Sequence, residues 1–153
     1  IMFIAKEDLP YDADLQTIIL NTEIAAGIEI PDARYKDWFP NFTLGDLICD
    51  DTATGLIVVG NKVDPLDIDA FAHVQLNLYK DEELIATGDS SEVLGNPLNA
   101  VLWLIKKLHS HGKQIKKGQV ISSGTFISPL KLEYGTYRAE YSGIGTVEFK
   151  VSK

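Results

Sequence analysis

The chain has 153 residues, 45% apolar and 24% charged, which is enough apolar material for one globular domain with its own core and argues against disorder. A formal charge of −8, from 22 acidic against 14 basic residues, gives no footprint for nucleic acid, and the basic group at Lys106, Lys107, Lys113, Lys116 and Lys117 reads as the solvated end of a helix. The single cysteine, Cys49, excludes an intrachain disulfide and a thiolate metal cluster.

The longest unbroken apolar run, Ala100 to Ile105, is far too short to cross a bilayer, and no charged segment with a small-residue cleavage site opens the chain. The expectation is a soluble, cytoplasmic protein with no membrane partner. The opening IMFIA reads as a strand that starts with no polar lead-in and no Met at position 1. An exposed strand start is an aggregation hazard, so the chain is expected to be the C-terminal catalytic portion of a longer polypeptide, a single domain over 1–153.

In chain order, Pro10 marks a turn, and Asp12 or Asp14 can cap a helix through Leu15, Ile18, Ile19, Thr22 and Ala26, ended by Gly27. Ile28 to Ile30 reads as a short strand stopped by Pro31, and Arg34 to Trp38 as one helical turn before Pro40. Asn41 or Thr43 starts a short helical stretch through Leu44, Leu47 and Ile48. Gly55 leads into a strand at LIVVG, and the two-residue alternation from Phe71 to Tyr79 predicts a half-buried strand. Lys80 to Glu83 forms a polar hairpin turn, from which Leu84 to Thr87 returns.

Asn96 as N-cap and Pro97 at the first helical position open a helix with an apolar stripe at Leu98, Val101, Leu102, Ile105 and Leu108, and Gly112 closes it. QVISSGTF, PLKLEYG, TYRAEYSG and GTVEFKVSK then read as strand and turn, with bends at Gly135, Gly143 and Gly145. Strands packed around few helices predict an α+β fold rather than a βαβ array.

The sequence has no glycine-rich phosphate loop, no nucleophile elbow and no H-E-x-x-H. His109 and His111 read as helix-end surface residues, and His73 as the polar side of a strand. What remains are acids and small polar residues at element ends. Glu29 stands out: flanked by Ile28 and Ile30 and followed by Pro31, it is expected to be a buried carboxylate. Burial would require a hard cation such as Mg²⁺ or an ion pair with Arg34.

The strings GIEIPDARYKDW, DDTATGLIVVG, SSEVLGNPLNAVLWL, VISSGTF and YSGIGTVEF, in that order, resemble the C-terminal portion of the 2-keto-4-pentenoate hydratases, within the fumarylacetoacetate hydrolase superfamily. The resemblance implies a mixed, rolled and layered β-sheet with a few packed helices. It also implies one Mg²⁺ or Mn²⁺ held by a Glu-x-Glu pair and a third acid. The third acid maps onto Glu29, and the pair would fall just before Ile1.

By the same resemblance the reaction is metal-dependent addition of water to 2-keto-4-pentenoate (2-hydroxypenta-2,4-dienoate) or a close homologue, in the catabolism of aromatic meta-cleavage products. Asp50 is the candidate for positioning or proton transfer, and Thr54, Gly124 and Thr125 for substrate contacts. The alternatives are a 2-oxo acid decarboxylase of the 4-oxalocrotonate type and a non-catalytic fragment or binding subunit. A homo-oligomer is expected, as is association with the preceding segment where that is a separate chain; without it the fragment would be inactive.

Departures from the family pattern are Asp51 in place of Asn, Ala53 in place of Ser, Phe39 in place of Lys after the tryptophan, and Ser128 in place of Arg before Pro129. The last favours a monocarboxylate substrate. No lysine lies between Phe39 and Asn61, where the hydrolase branch carries one, which favours hydration over carbon–carbon hydrolysis.

Overall fold

The computed structural model describes residues 1–37 and 41–153. Two antiparallel sheets carry the fold. The first has the order β3-β2-β1-β6, formed by β1 (Met2–Ala5), β2 (Thr22–Ile30), β3 (Leu56–Val63) and β6 (Val120–Ser122). The second has the order β5-β4-β7-β8, formed by β4 (Gln75–Lys80), β5 (Glu83–Asp89), β7 (Gly135–Tyr141) and β8 (Gly145–Val151). Three α-helices, α1 (Leu15–Leu20), α2 (Leu44–Cys49) and α3 (Pro97–His109), and short 3₁₀ turns at Asp51–Ala53, Ala70–His73 and Ser90–Glu92 complete the described elements. The α+β expectation holds.

The sheets close on each other where β3 passes β8. A Cβ on Gly60 would stand 3.1 Å from the Thr146 carbonyl oxygen and 3.2 Å from that of Ala26, so a side chain here would push the strands back by a few tenths of an ångström. One apolar core fills the space between the sheets and the helices, with Phe3, Leu9, Ile18, Ile24, Phe71, Leu98 and Val101 fully buried. Phe3 and Phe71 stack in it with ring centroids 5.4 Å apart. Met2, Ile4 and Ala25 form a small second cluster. Strand alternation sends them to the opposite face of the first sheet from Phe3 and Ile24.

Helix α3 follows its sequence signals. The Asn96 side chain accepts from the Leu98 N–H at 2.9 Å, Pro97 takes the first position, and Gly112 leaves the following turn at φ +65°. Its buried stripe is Leu98, Val101 and Ile105, whereas Leu102 is only half-buried. Thr43 and Asp46 form a capping box on α2, and Asp14 caps α1.

Four expectations fail. The helix expected over 15–26 ends at Leu20, and Thr22 to Ile30 is strand. Ladders to β1 and β3 on both sides outweigh the helix-like spacing of Thr22 and Ala26, and the Thr22 hydroxyl closes the helix by donating to the Ile18 carbonyl at 2.8 Å. Residues 70–73 wind into a 3₁₀ turn, so the predicted strand begins only at Gln75. PLKLEYG runs without strand structure to Gly135. Residues 34–37 form no helical turn, and Trp38, the end of that predicted turn, lies outside the described residues with Phe39 and Pro40.

Leu98→Ala should lower the unfolding free energy by about 2–5 kcal/mol in urea titration, as for other fully buried leucines, while Trp103→Ala on the exposed face should stay within about 0.5 kcal/mol.

Candidate active site

A cavity of about 1240 Å³ opens between the sheets. One wall is the end of β2 and residues 31–36, the other is residues 122–132, and the floor comes from β4, β7 and β8. Glu29, Thr54, Gly124 and Thr125, all singled out from the sequence, lie on its lining.

Glu29 sits at the overhanging end of β2. Strand β1 pairs with β2 only as far as Ala25, opposite Met2, whereas β3 continues to Ile30. Residues 27–30 therefore have a sheet neighbour on one side alone. The burial expected of Glu29 is thereby corrected: its side chain is exposed into the cavity while Ile28 and Ile30 are half-buried. The expected alternative, an ion pair with Arg34, does not form either. Arg34 turns to Asp50.

That contact organises the wall. The Arg34 guanidinium donates to Asp50 Oδ1 at 3.0 Å and to the carbonyls of Asp32, at 2.9 Å, and Thr54; the Arg34 N–H reaches Asp50 Oδ2 at 3.2 Å. The Asp50 side chain is 7% exposed and absent from the cavity lining. Asp50, at the C-terminus of α2, thus positions Arg34 and, through it, residues 31–34 and 54, and it is not placed to exchange a proton with a molecule in the cavity.

The turn between α2 and β3 is strained. Asp51, Thr52 and Ala53 have φ of +52°, +58° and +56°, a run that the Cβ of any L residue disfavours and that persists only where its surroundings hold it. Here Asp32 N–H donates to the Ala53 carbonyl at 2.9 Å, and the Thr54 hydroxyl donates back to the Asp51 carbonyl. A Cβ on Gly55 would lie 2.2 Å from the Ile30 carbonyl oxygen, so glycine is what lets this turn press on the end of β2. Ala53 is buried behind the cavity wall, so the absent serine hydroxyl would not have faced the cavity space. The Phe39 departure falls outside the described residues.

On the opposite wall Gly124 takes φ +117°. The Thr125 hydroxyl is committed to its own turn, donating to the Ile127 carbonyl at 2.8 Å. Lys36 and Lys131 also line the cavity and supply positive charge, and Ser128 and Pro129 stand beside Lys131.

Sequence reasoning missed Tyr141. Its hydroxyl donates to the Gly27 carbonyl at 2.7 Å, tying the floor to the overhang of β2. Burial, with the Glu29 charge adding to it, pushes the phenol up to about 12. The available signal was the alternation Tyr137, Ala139, Tyr141, which puts all three on one face of β7.

No family model matches the chain. It is 32% identical over 130 residues to a 2-keto-4-pentenoate hydratase of Paraburkholderia phymatum, covering 84% of this chain and 48% of that protein. A 2-keto-4-pentenoate hydratase of Burkholderia vietnamiensis is 34% identical over 124 residues, covering 80% and 46%. The chain is a homologue of the 2-keto-4-pentenoate hydratases. This hydratase homologue spans about half the length of the curated relatives it matches.

The hydratase homologue also shares its fold with 4-oxalocrotonate decarboxylase from Pseudomonas putida G7 in complex with calcium and acetate, at a TM-score of 0.79 and 22% identity over 96% of this chain and 56% of that one. The same decarboxylase is known with magnesium and adipate. A fumarylacetoacetate hydrolase family protein from Yersinia pestis superposes at a TM-score of 0.69, 9% identical, over 99% of this chain and 67% of that one. The layered fold expected from the resemblance is thus the observed one.

Asp50→Asn should speed hydrogen exchange at the Asp32 amide severalfold, a half-exposed ion pair being worth up to about 1 kcal/mol; unchanged protection would refute the clamp. Because the Tyr141 phenol rises from the ordinary 10.0 to about 12, its contribution to stability is complete below pH 10 and is lost as pH climbs towards 12. Urea midpoints across that interval should fall less steeply for Tyr141→Phe than for the parent.

Proposed function

We propose that this chain forms the Glu29-bearing part of a hydratase that adds water to 2-keto-4-pentenoate or a close homologue. The observation that carries the reading is the position of Glu29, on the wall of a large cavity in a chain 32% identical to a curated hydratase. A divalent cation belongs to the proposal, because the related decarboxylase fold is seen with calcium or magnesium.

Among the described residues no three His, Cys, Asp or Glu converge as a metal site. Glu29 and Asp32 are the acids on the cavity lining. Mg²⁺ takes near-octahedral oxygen ligation, so the described residues fall short of a complete ligand set. Glu29 is proposed as one ligand, with the remaining donors outside the described residues, and no step is derived through the ion.

In the proposed reaction the dienol first passes to its 2-keto form, the hydroxyl proton leaving O2 and a proton arriving at C5. Water then adds across C3 and C4, its oxygen to C4 and a proton to C3, giving 4-hydroxy-2-oxovalerate. The chain's own residues prepare this. Lys36 and Lys131 draw the anionic substrate into the cavity, and backbone N–H groups at Gly124 and Thr125 meet its oxygens, while the Thr54 N–H and hydroxyl stay with the Asp51 carbonyl and Thr54 serves as part of the wall. The Asp50–Arg34 clamp fixes the wall on which Thr54 stands. Tyr141 stays protonated at neutral pH and holds the Gly27 carbonyl, and with it the end of β2 that aims Glu29.

Incubation of the purified protein with 2-hydroxypenta-2,4-dienoate and Mg²⁺ or Mn²⁺ should yield 4-hydroxy-2-oxovalerate. Release of CO₂ from 4-oxalocrotonate instead would establish the decarboxylase alternative, and neither product would leave a non-catalytic subunit. Glu29→Gln should cut metal-dependent turnover by more than the roughly 10–100-fold typical of supporting residues while leaving the far-ultraviolet circular dichroism unchanged; wild-type turnover in that variant would remove Glu29 from the reaction.

A further inference from the structure

Two four-stranded sheets leave four edge strands, β3 and β6 on the first and β5 and β8 on the second. A bare edge invites another strand, and natural edges are blunted by shortness or by charge. Three of the four are blunted in this way. β6 has three residues, and β8 carries Glu148 and Lys150, both exposed. β5 begins at Glu83 and ends at Asp89, so two such strands running antiparallel about Ala86 would set acid against acid. β3 is not blunted. From Thr52 to Asn61 the chain has no charged residue, and the first charge beyond, Lys62, is already paired with Glu23 at 3.0 Å.

β3 also shows hydrocarbon to solvent on both of its faces. Leu56 is 71% and Ile57 49% exposed, successive residues that point to opposite sides, and Val59 is 36% exposed. Its one hydrogen-bonded neighbour is β2. β8 meets it by a face, where a Cβ on Gly60 would stand 3.4 Å from the Val147 Cβ, and among the described residues no strand takes the outer edge. Ahead of it α2 buries none of its residues and exposes Leu44 and Ile48, one turn apart.

The edge is complementary to itself. Antiparallel pairing about a two-fold axis at Val58 sets that residue opposite its own copy, Ile57 opposite the partner's Val59, and Leu56 opposite the partner's Gly60. None of these pairs carries a charge. Two copies at a formal −8 each repel, and they meet at least cost where charge is absent, as it is along this run. We propose that β3 is the interface of a homodimer in which the two edges join antiparallel about Val58, making one eight-stranded sheet across the two-fold axis. The consequence reaches the cavity. β3 is the sheet neighbour of Gly27 to Ile30, so the strand that braces the Glu29 backbone gains a second neighbour of its own. The proposal holds whichever reaction the cavity serves.

Sedimentation equilibrium of the purified chain from about 1 to about 500 µM should show a reversible passage from 16.9 kDa towards twice that mass, a short ladder being a small interface of roughly micromolar strength. Ile57→Lys combined with Val59→Lys sets ammonium groups against each other across the axis and should weaken association about a hundredfold or more. Leu84→Lys on the β5 edge should leave it unchanged. Register is read separately. With Cys49→Ser removing the native thiol, Val58→Cys should give a disulfide-linked dimer on mild oxidation, because paired Cα atoms in such a ladder stand about 4.5–5.5 Å apart, and Leu84→Cys should give none. This crosslink decides the matter if the lysine variant loses its native circular dichroism. A chain that stays at 16.9 kDa throughout overturns the proposal, and that is the result expected if the edge takes a strand from a different protein. A dimer that persists in the folded lysine variant overturns it as well and moves the contact to another apolar surface, such as that of α2.

Discussion

The site depends on a mismatch of strand lengths. β2 outruns β1 by the residues after Ala25, and a strand end with one sheet neighbour presents side chains to open space that a central strand would bury. Such an end would fray if nothing else held it. Here the Tyr141 hydroxyl takes the Gly27 carbonyl from the opposite sheet, the Asp51–Gly55 turn presses on Ile30, and the Asp32 N–H bonds to Ala53. The backbone that carries Glu29 is therefore held in place although the carboxylate itself is exposed to the cavity.

The cost of that arrangement is carried by the turn from Asp51 to Ala53. Consecutive left-handed residues other than glycine, roughly 1–3 kcal/mol each, need compensation from their surroundings. Arg34 supplies it by joining three carbonyl or carboxylate groups from separate points in the chain. Arginine suits the place because its planar fork can bond several acceptors at once, which a lysine ammonium on a flexible stem does less well. Since the guanidinium side is 55% exposed, its value lies in holding geometry more than in net stability.

Much of the fold was legible because local signals and tertiary outcome agree. Asn96-Pro97 with the Leu98, Val101, Ile105 stripe, the Thr43 cap and the Lys80 to Glu83 hairpin read correctly from neighbouring residues alone. The start of β2 did not. Thr22 and Ala26 fall at helical spacing after Ile18, and only the ladders to two distant strands decide for sheet.

The site shows the same division. Family resemblance placed Glu29, Thr54, Gly124 and Thr125 around one cavity, but the exposure of Glu29 depends on where β1 stops, which no short stretch encodes. The Arg34–Asp50 pair, sixteen residues apart, and the Tyr141–Gly27 bond, 114 apart, are long-range facts of the same sort.

The irregular pairing between Ala25 and Gly27 has a consequence for how this gene region can vary. Sheet side chains alternate with period two, so the offset there decides which side of the strand end Glu29 takes and which side its isoleucine neighbours take. A single codon gained or lost between the Met2 partner and Pro31 would leave the strand's composition and hydropathy almost untouched, yet would put hydrocarbon on the side of the strand end that the Glu29 carboxylate now takes. Register in this segment thus depends on its length more than on its composition.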